Sequence, residues 1–224
     1  MKYLPVVLVI FIFVCNVHGT LAADKAPTLC PPTENVDSEA MTAMGMSLKK
    51  KAVSRFLFLF SDTSVKFPKF HEEKSLPLRT NQLHGFVSAL DNEERQHFRD
   101  GWSGARFSDV WSGGSACAQF LLEPVKGAEL ISARCANDPG RSLLLNEYPE
   151  NHGSINPATI VAICSTQKIE AGPYKGTESV DCTHSLVRNG FLIEYSFQEP
   201  NSALIGQFDA FLTTKIDEWK QYCN

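Results

Sequence analysis

The chain has no Cys-x-x-Cys pair, no Gly-rich phosphate loop, no Gly-x-Ser-x-Gly elbow and no Asn-x-Ser/Thr acceptor. Its histidines never fall at His-x-x-x-His or His-x-His spacing, and its longest basic block is Lys49-Lys50-Lys51 within a net charge of −4. Each absence removes a class. Without Cys-x-x-Cys there is no zinc-ribbon or thioredoxin-like signature. Without paired histidines, a metal site has no local spacing to rest on. Without the Gly-rich loop there is no nucleotide signature. Without the elbow, the common serine-hydrolase motif is missing. A nucleic-acid binder shows a basic face, and none is written here. No motif asks for a cofactor or a metal.

What is present begins with the first residues. One lysine precedes an apolar run from Leu4 to Val14, and small residues follow. That is the layout of a secretory signal peptide, too short for a membrane span of about 20 apolar residues. Thr20 and Ala22 fit the two recognition positions, so the expectation is a signal peptide at 1–22 and one exported domain at 23–224. Removing the leader takes away one lysine and no acidic group, leaving a mildly acidic chain. The remaining length suits one domain with a real core.

Six cysteines remain: Cys30, Cys117, Cys135, Cys164, Cys182 and Cys223. An even number in an exported chain implies a disulfide framework. Cys117 and Cys135 flank "EPVKGAE", and Cys164 and Cys182 flank "AGPYKG". Both stretches read as turns. Folding each segment about its midpoint as an antiparallel hairpin puts the cysteines opposite one another, within disulfide reach. Cys30 and Cys223 are then left to join the two ends of the mature chain, giving three disulfides in all.

Between the ends, residues 37–51 open on Asp37 or Ser38 and close on lysines, a helix layout. Val53–Phe60 is short, apolar and aromatic, a buried strand. Residues 61–90 are mostly loop by composition, and "SALDNEERQHFRDG" reads as a short helix. Strands are expected at 105–111, 116–122, 128–135, 142–148, 158–166 and 190–198. After Asn201, apolar residues fall at Leu204, Ile205, Phe208, Phe211, Leu212, Ile216 and Trp219. These spacings of three and four make one helical stripe. Asn201 or Ser202 can cap its start, and Asp209, Lys215, Asp217 and Lys220 fall off the stripe towards water. The expected architecture is α+β in a single domain. A mostly antiparallel sheet is packed by the amphipathic C-terminal helix, with an N-terminal helix beside it.

The densest functional stretch is "GWSGARFSDVWSGGSAC", from Gly101 to Cys117, with Trp-Ser-Gly written twice. Glycine directly follows Ser103 and Ser112, so both serines read as turns. Ser115 is the least disfavoured nucleophile, with His97 as a base and Asp109 as its carboxylate, provided the three converge in space. Trp102, Arg106 and Trp111 are the residue types that dominate interface hot spots, and Trp102 and Arg106 sit in a Gly-rich loop where exposure is expected. Two functions follow. The first is an exported, periplasmic or secreted, disulfide-stapled binding protein that contacts another protein, of inhibitor or immunity type. The second is a secreted hydrolase with a non-standard site near Ser115.

Overall fold

The computed structural model describes residues 27–46, 52–60, 83–105, 119–149, 155–168, 175–176 and 178–223. The expected leader at 1–22 lies outside them. The described residues form one antiparallel sheet: β1 (Arg55–Phe60), β2 (Leu83–Ala89), β3 (Ser103–Gly104), β4 (Phe120–Pro124), β5 (Ile131–Cys135), β6 (Asp138–Leu145), β7 (Ile160–Lys168), β8 (Glu178–Arg188) and β9 (Phe191–Gln198). Their order across the sheet is β1-β2-β9-β8-β7-β6-β5-β4, with β3 paired to β8. Three helices accompany it: α1 (Ser38–Ala43), α2 (Glu94–His97) and α3 (Ile205–Gln221). The α+β class and the C-terminal helix expected from sequence are both present.

Helix α3 lies on one face. Ile205, Phe208, Leu212, Ile216 and Trp219 are buried along it. They meet Phe56, Phe58 and Phe60 of β1, Leu83 and Val87 of β2, and Phe191, Ile193, Tyr195 and Phe197 of β9. Burying each such side chain contributes about 1.5–3 kcal/mol, so this face is the main core. A second cluster occupies the other end of the sheet, formed by Ala105, Phe120, Ile131, Ala133, Cys135, Leu143, Leu145 and Ile160.

Several boundaries differ from the sequence reading. The helix expected over 37–51 stops at Ala43. Asp37 caps it by accepting from Ala40 N at 2.9 Å. Gly45 (φ 69°) then closes it, with Gly45 N donating to Thr42 O and Met46 N to Met41 O. That paired closure is a Schellman stop, and it needs a residue at ease with positive φ. The next helix covers only Glu94–His97, begun by Asp91, whose carboxylate accepts from Glu94 N at 2.8 Å. Asn201 and Ser202 do not cap α3. They sit in a buried 3-10 turn, Glu199–Leu204, and the helix proper starts at Ile205.

Three strands, β2, β3 and β8, lie outside the expected strand ranges. β2 falls inside a stretch that composition marks as loop, and its centre is Gly85. A Cβ at Gly85 would collide with the Glu194 carbonyl and lie 2.6 Å from the Phe58 ring. Glycine is therefore the residue that lets β2 and β9 pair under a phenylalanine. β8 ends in the two-residue loop Asn189-Gly190, with φ of 56° and 78°. Arg188 and Phe191 pair across it. Both loop residues have positive φ, as a type I′ hairpin turn requires.

Two disulfides lie among the described residues, Cys30–Cys223 and Cys164–Cys182. The second joins residues directly opposite in the β7–β8 ladder, with Cα atoms 3.9 Å apart. The first hairpin is shifted from the expected register. Cys135 lies opposite Phe120, because the turn forms at Val125–Ala128 with Gly127 (φ 81°) inside it. Cys135 is itself disulfide-bonded, and its expected partner Cys117 lies outside the described residues.

Arg188 at the end of β8 grips Asp217 on α3 through Nε–Oδ1 at 2.9 Å and Nη2–Oδ2 at 2.6 Å. Asn189 Nδ2 also donates to Oδ1, at 2.6 Å. The Arg188 hydrogen bond is the main reason the Asp217 carboxyl is held below its ordinary value of 3.8, with Asn189 adding to it and desolvation opposing. A depressed folded pKa means the stabilisation is present above about pH 4 and lost as pH falls through the folded value. Both side chains are more than a third exposed, so the contribution is about 0.5–1 kcal/mol. Asp217→Asn should therefore lose that amount at pH 7 and show a shallower loss of stability between pH 4 and pH 2. Parallel melting curves for the two proteins over that range are the check, and identical acid slopes would count against the pair.

Candidate functional site

The ladder between β7 and β8 stops at Ile163 opposite Thr183. β3 takes over the same edge of β8 from Ser185, which lies opposite Gly104. His184 is the residue between the two ladders. On the other side it pairs with Tyr195 of β9. Its side chain lies under α3 and is 1 % exposed. His184 Nδ1 is 2.7 Å from the Val161 carbonyl oxygen. A carbonyl only accepts, so Nδ1 carries a proton and donates. The other nitrogen, Nε2, faces Ser103 Oγ at 3.0 Å and Asp209 Oδ2 at 3.3 Å. Ser103 Oγ is also 2.9 Å from Asp209 Oδ2.

Asp209 is held from its other oxygen. The Tyr195 phenol donates to Oδ1 at 2.9 Å and approaches the Ile205 carbonyl at 3.3 Å. Burial first, and then the charge and hydrogen bond of Asp209, push the Tyr195 phenol well above the usual range. The phenol therefore keeps its proton and acts as a fixed donor. Four side chains from β3, β8, β9 and α3 thus form one connected network. Two acceptor atoms, Nε2 and Oδ2, converge on the single hydroxyl of Ser103. That is a nucleophile within reach of a base, and a base oriented by a third group. It differs from a Ser-His-Asp relay in one respect. The carboxylate sits at the same imidazole nitrogen as the serine, and a backbone carbonyl occupies the other.

Beside this network is an open depression of about 340 Å³, lined by Gly127, Ala128, Glu129, Leu130, Val161, Ser202, Ala203 and Ile205. Val161 and Ile205 belong to both features, since their carbonyls receive His184 and approach Tyr195. Ser103, His184 and Asp209 do not line it. Ser202 lines it and is buried, as is the preceding Asn201, and neither side chain has a hydrogen-bond partner.

The residues singled out from sequence fall elsewhere. His97 is exposed at the end of α2. Ser115, Asp109, Arg106 and Trp111 lie outside the described residues, so the Ser115, His97 and Asp109 grouping is seen only through His97. Trp102, expected to be exposed, is half-buried against Phe98, with ring centroids 4.7 Å apart, over Leu90, Val187 and Leu192. Ser103, read as a turn, is strand β3. Asp209, read as facing water, is 22 % exposed and tied into the network. Among the described residues no group of three or more His, Cys, Asp or Glu converges as a metal site, and no helix is long and apolar enough to cross a membrane. Two disulfides fit an oxidising compartment and an exported protein. No family model, no curated protein and no solved structure matches the chain.

Proposed function

We propose that the chain is an exported, disulfide-stapled binding protein that acts by occupying another protein, as an inhibitor or immunity-type protein does. The observation that carries this is the depression of about 340 Å³ between the β4–β5 turn and the entry to α3. Its floor is apolar, from Leu130, Val161 and Ile205, and its volume is at the lower end of the size range of ligand pockets. That suits one anchoring side chain from a partner, the arrangement that concentrates binding energy in protein interfaces. The walls are a hairpin turn, a central strand and the entry to α3. Trp102, together with Arg106 and Trp111, is the second proposed contact.

The test fills the depression. Ala203 is exposed at its rim, and Ala203→Trp would occupy it without entering the core. The tagged protein is exported in its native host and purified with whatever accompanies it. The expected result is one stoichiometric partner, bound at least tenfold more weakly by Ala203→Trp while the melting temperature is unchanged. Recovery of no partner, or a partner held equally by both proteins, overturns the reading.

A further inference from the structure

We propose that Ser103 is a nucleophile with His184 as its general base, giving the chain an acyl-transfer activity towards small esters, independent of any partner bound at the depression. The hydroxyl is on an exposed residue, so an ester can approach it. Its oxygen is 3.0 Å from His184 Nε2, within the range for proton transfer. The imidazole cannot turn away. It is 1 % exposed, packs edge-on to Tyr195 at 5.3 Å, and is pinned through Nδ1 to Val161. That pin keeps a proton on Nδ1, so in the neutral imidazole the Nε2 lone pair faces the serine.

Ser103 Oγ bonds to the acyl carbon while its proton passes to Nε2. The ester C–O bond then breaks, and the Nε2 proton leaves with the alkoxide as an alcohol. Water, giving a proton to the same nitrogen, attacks the acyl-serine. Its C–O bond to Oγ breaks, Oγ recovers the proton, and a carboxylic acid is released. Asp209 is a positioning residue in this step. Its Oδ2 is 3.3 Å from Nε2, so it faces the N–H of the imidazolium as that cation forms, and Tyr195 holds it there. A carboxylate beside the forming cation lowers its energy where water is largely excluded. The acyl group is small, because Ser103 lies outside the depression and the strand beside it is closed. Gly104 already approaches the Ile160 carbonyl and the Trp102 ring, at 3.2 and 3.3 Å from where a Cβ would stand.

A purely structural role for Ser103, as a strut between β3 and α3, predicts no special reactivity. The two roles separate with an alkyl fluorophosphonate, which labels activated serines, and with p-nitrophenyl acetate as substrate. In the folded, oxidised protein, one label per chain is expected on the peptide carrying Ser103. Acetate release should be lost in Ser103→Ala, whose melting temperature moves little. His184→Gln should slow labelling at least tenfold. If that variant does not fold, heat-denatured wild type serves in its place and should not label. A native protein with no label at Ser103 above the Ser103→Ala blank overturns the proposal, as does labelling equally fast in folded His184→Gln or in denatured protein. Because the readout is covalent, it stands or falls separately from partner capture.

Discussion

Trp219→Ala should destabilise the protein by about 3–5 kcal/mol, the cost of deleting a large buried aromatic. Trp219 is 1 % exposed and is the largest fully buried side chain among the described residues. It stacks on Phe60 with centroids 5.7 Å apart and planes 8° from parallel. It also meets Phe56 edge-on at 5.4 Å. Phe60 in turn meets Phe211 at 4.9 Å. The indole therefore joins the last turns of α3 to β1, the edge strand of the sheet. An alanine here leaves a cavity whose walls are rings on a strand and cannot collapse into it. Because β1 is an edge, the loss should appear first as faster amide exchange in β1, below the global unfolding threshold. Urea unfolding and amide exchange measure both. A midpoint within error of wild type would mean that α3 does not pack on β1 as described.

How far this fold was legible in the sequence depends on where each element's signal resides. The stripe from Ile205 to Trp219 is local, repeating within a few residues, and the helix follows it. The two described disulfides were legible for a different reason. Cys164 and Cys182 face one another across a turn, and the pairing of two central cysteines leaves the end cysteines few choices. β8 was hidden because its composition is that of a surface. Ser179, Asp181, Thr183, His184 and Ser185 dilute its apolar residues, yet the strand is central, between β9 and β7. It tolerates them because Thr183 is exposed and the others find partners: Ser179 with Asp181 and Gln198, Ser185 with Glu194, His184 with Val161. One signal could have revealed it. Asn189-Gly190 is a two-residue hairpin sequence, and a turn of that type needs a strand on each side. β2 was hidden by Gly85, a residue that weakens any strand propensity but is demanded by the close approach of β9.

The candidate site was the least legible part, and the reason is geometric. Ser103 meets His184 across 81 residues and Asp209 across 106. No spacing pattern reports such contacts. His97 is the histidine nearest the serines in sequence, but α2 holds it at the surface. What selects His184 is the handover from β7 to β3 along one edge of β8, a consequence of sheet topology. The departure of Ser103 from a turn has a physical reason. Trp-Ser-Gly suits a turn, but Gly104 is needed for close packing against Ile160 and Trp102, and Gly101 (φ 83°) is the residue that takes the turn.

Replacing Cys30 and Cys223 together with serine should lower the melting temperature by about 5–15 °C while leaving the sheet intact. The bond spans a sequence separation of 193 residues. In the chain-entropy model a loop of that size restrains the unfolded chain by somewhat more than about 4.7 kcal/mol, and engineered examples often return less. The native contacts around the bond argue for a sizeable share. Cys30 N donates to the Trp219 carbonyl at 3.1 Å, and Leu29 N and O pair with Val53. Leu29 is fully buried in the same core as Trp219. The crosslink thus holds the first described segment onto the end of α3, where the last turn of the helix would otherwise fray. Its loss acts on the same corner as Trp219→Ala, so the two changes should not add: the triple variant should fall short of the sum by about 0.5–3 kcal/mol, the coupling found for groups in contact. The Cys164–Cys182 bond lies in the middle of the sheet and should survive, so non-reducing peptide mapping should still recover it. A fragment linking Cys223 to Cys117, Cys135, Cys164 or Cys182 in the wild-type protein, or a double variant that melts with wild type, would contradict the Cys30–Cys223 clamp at this corner.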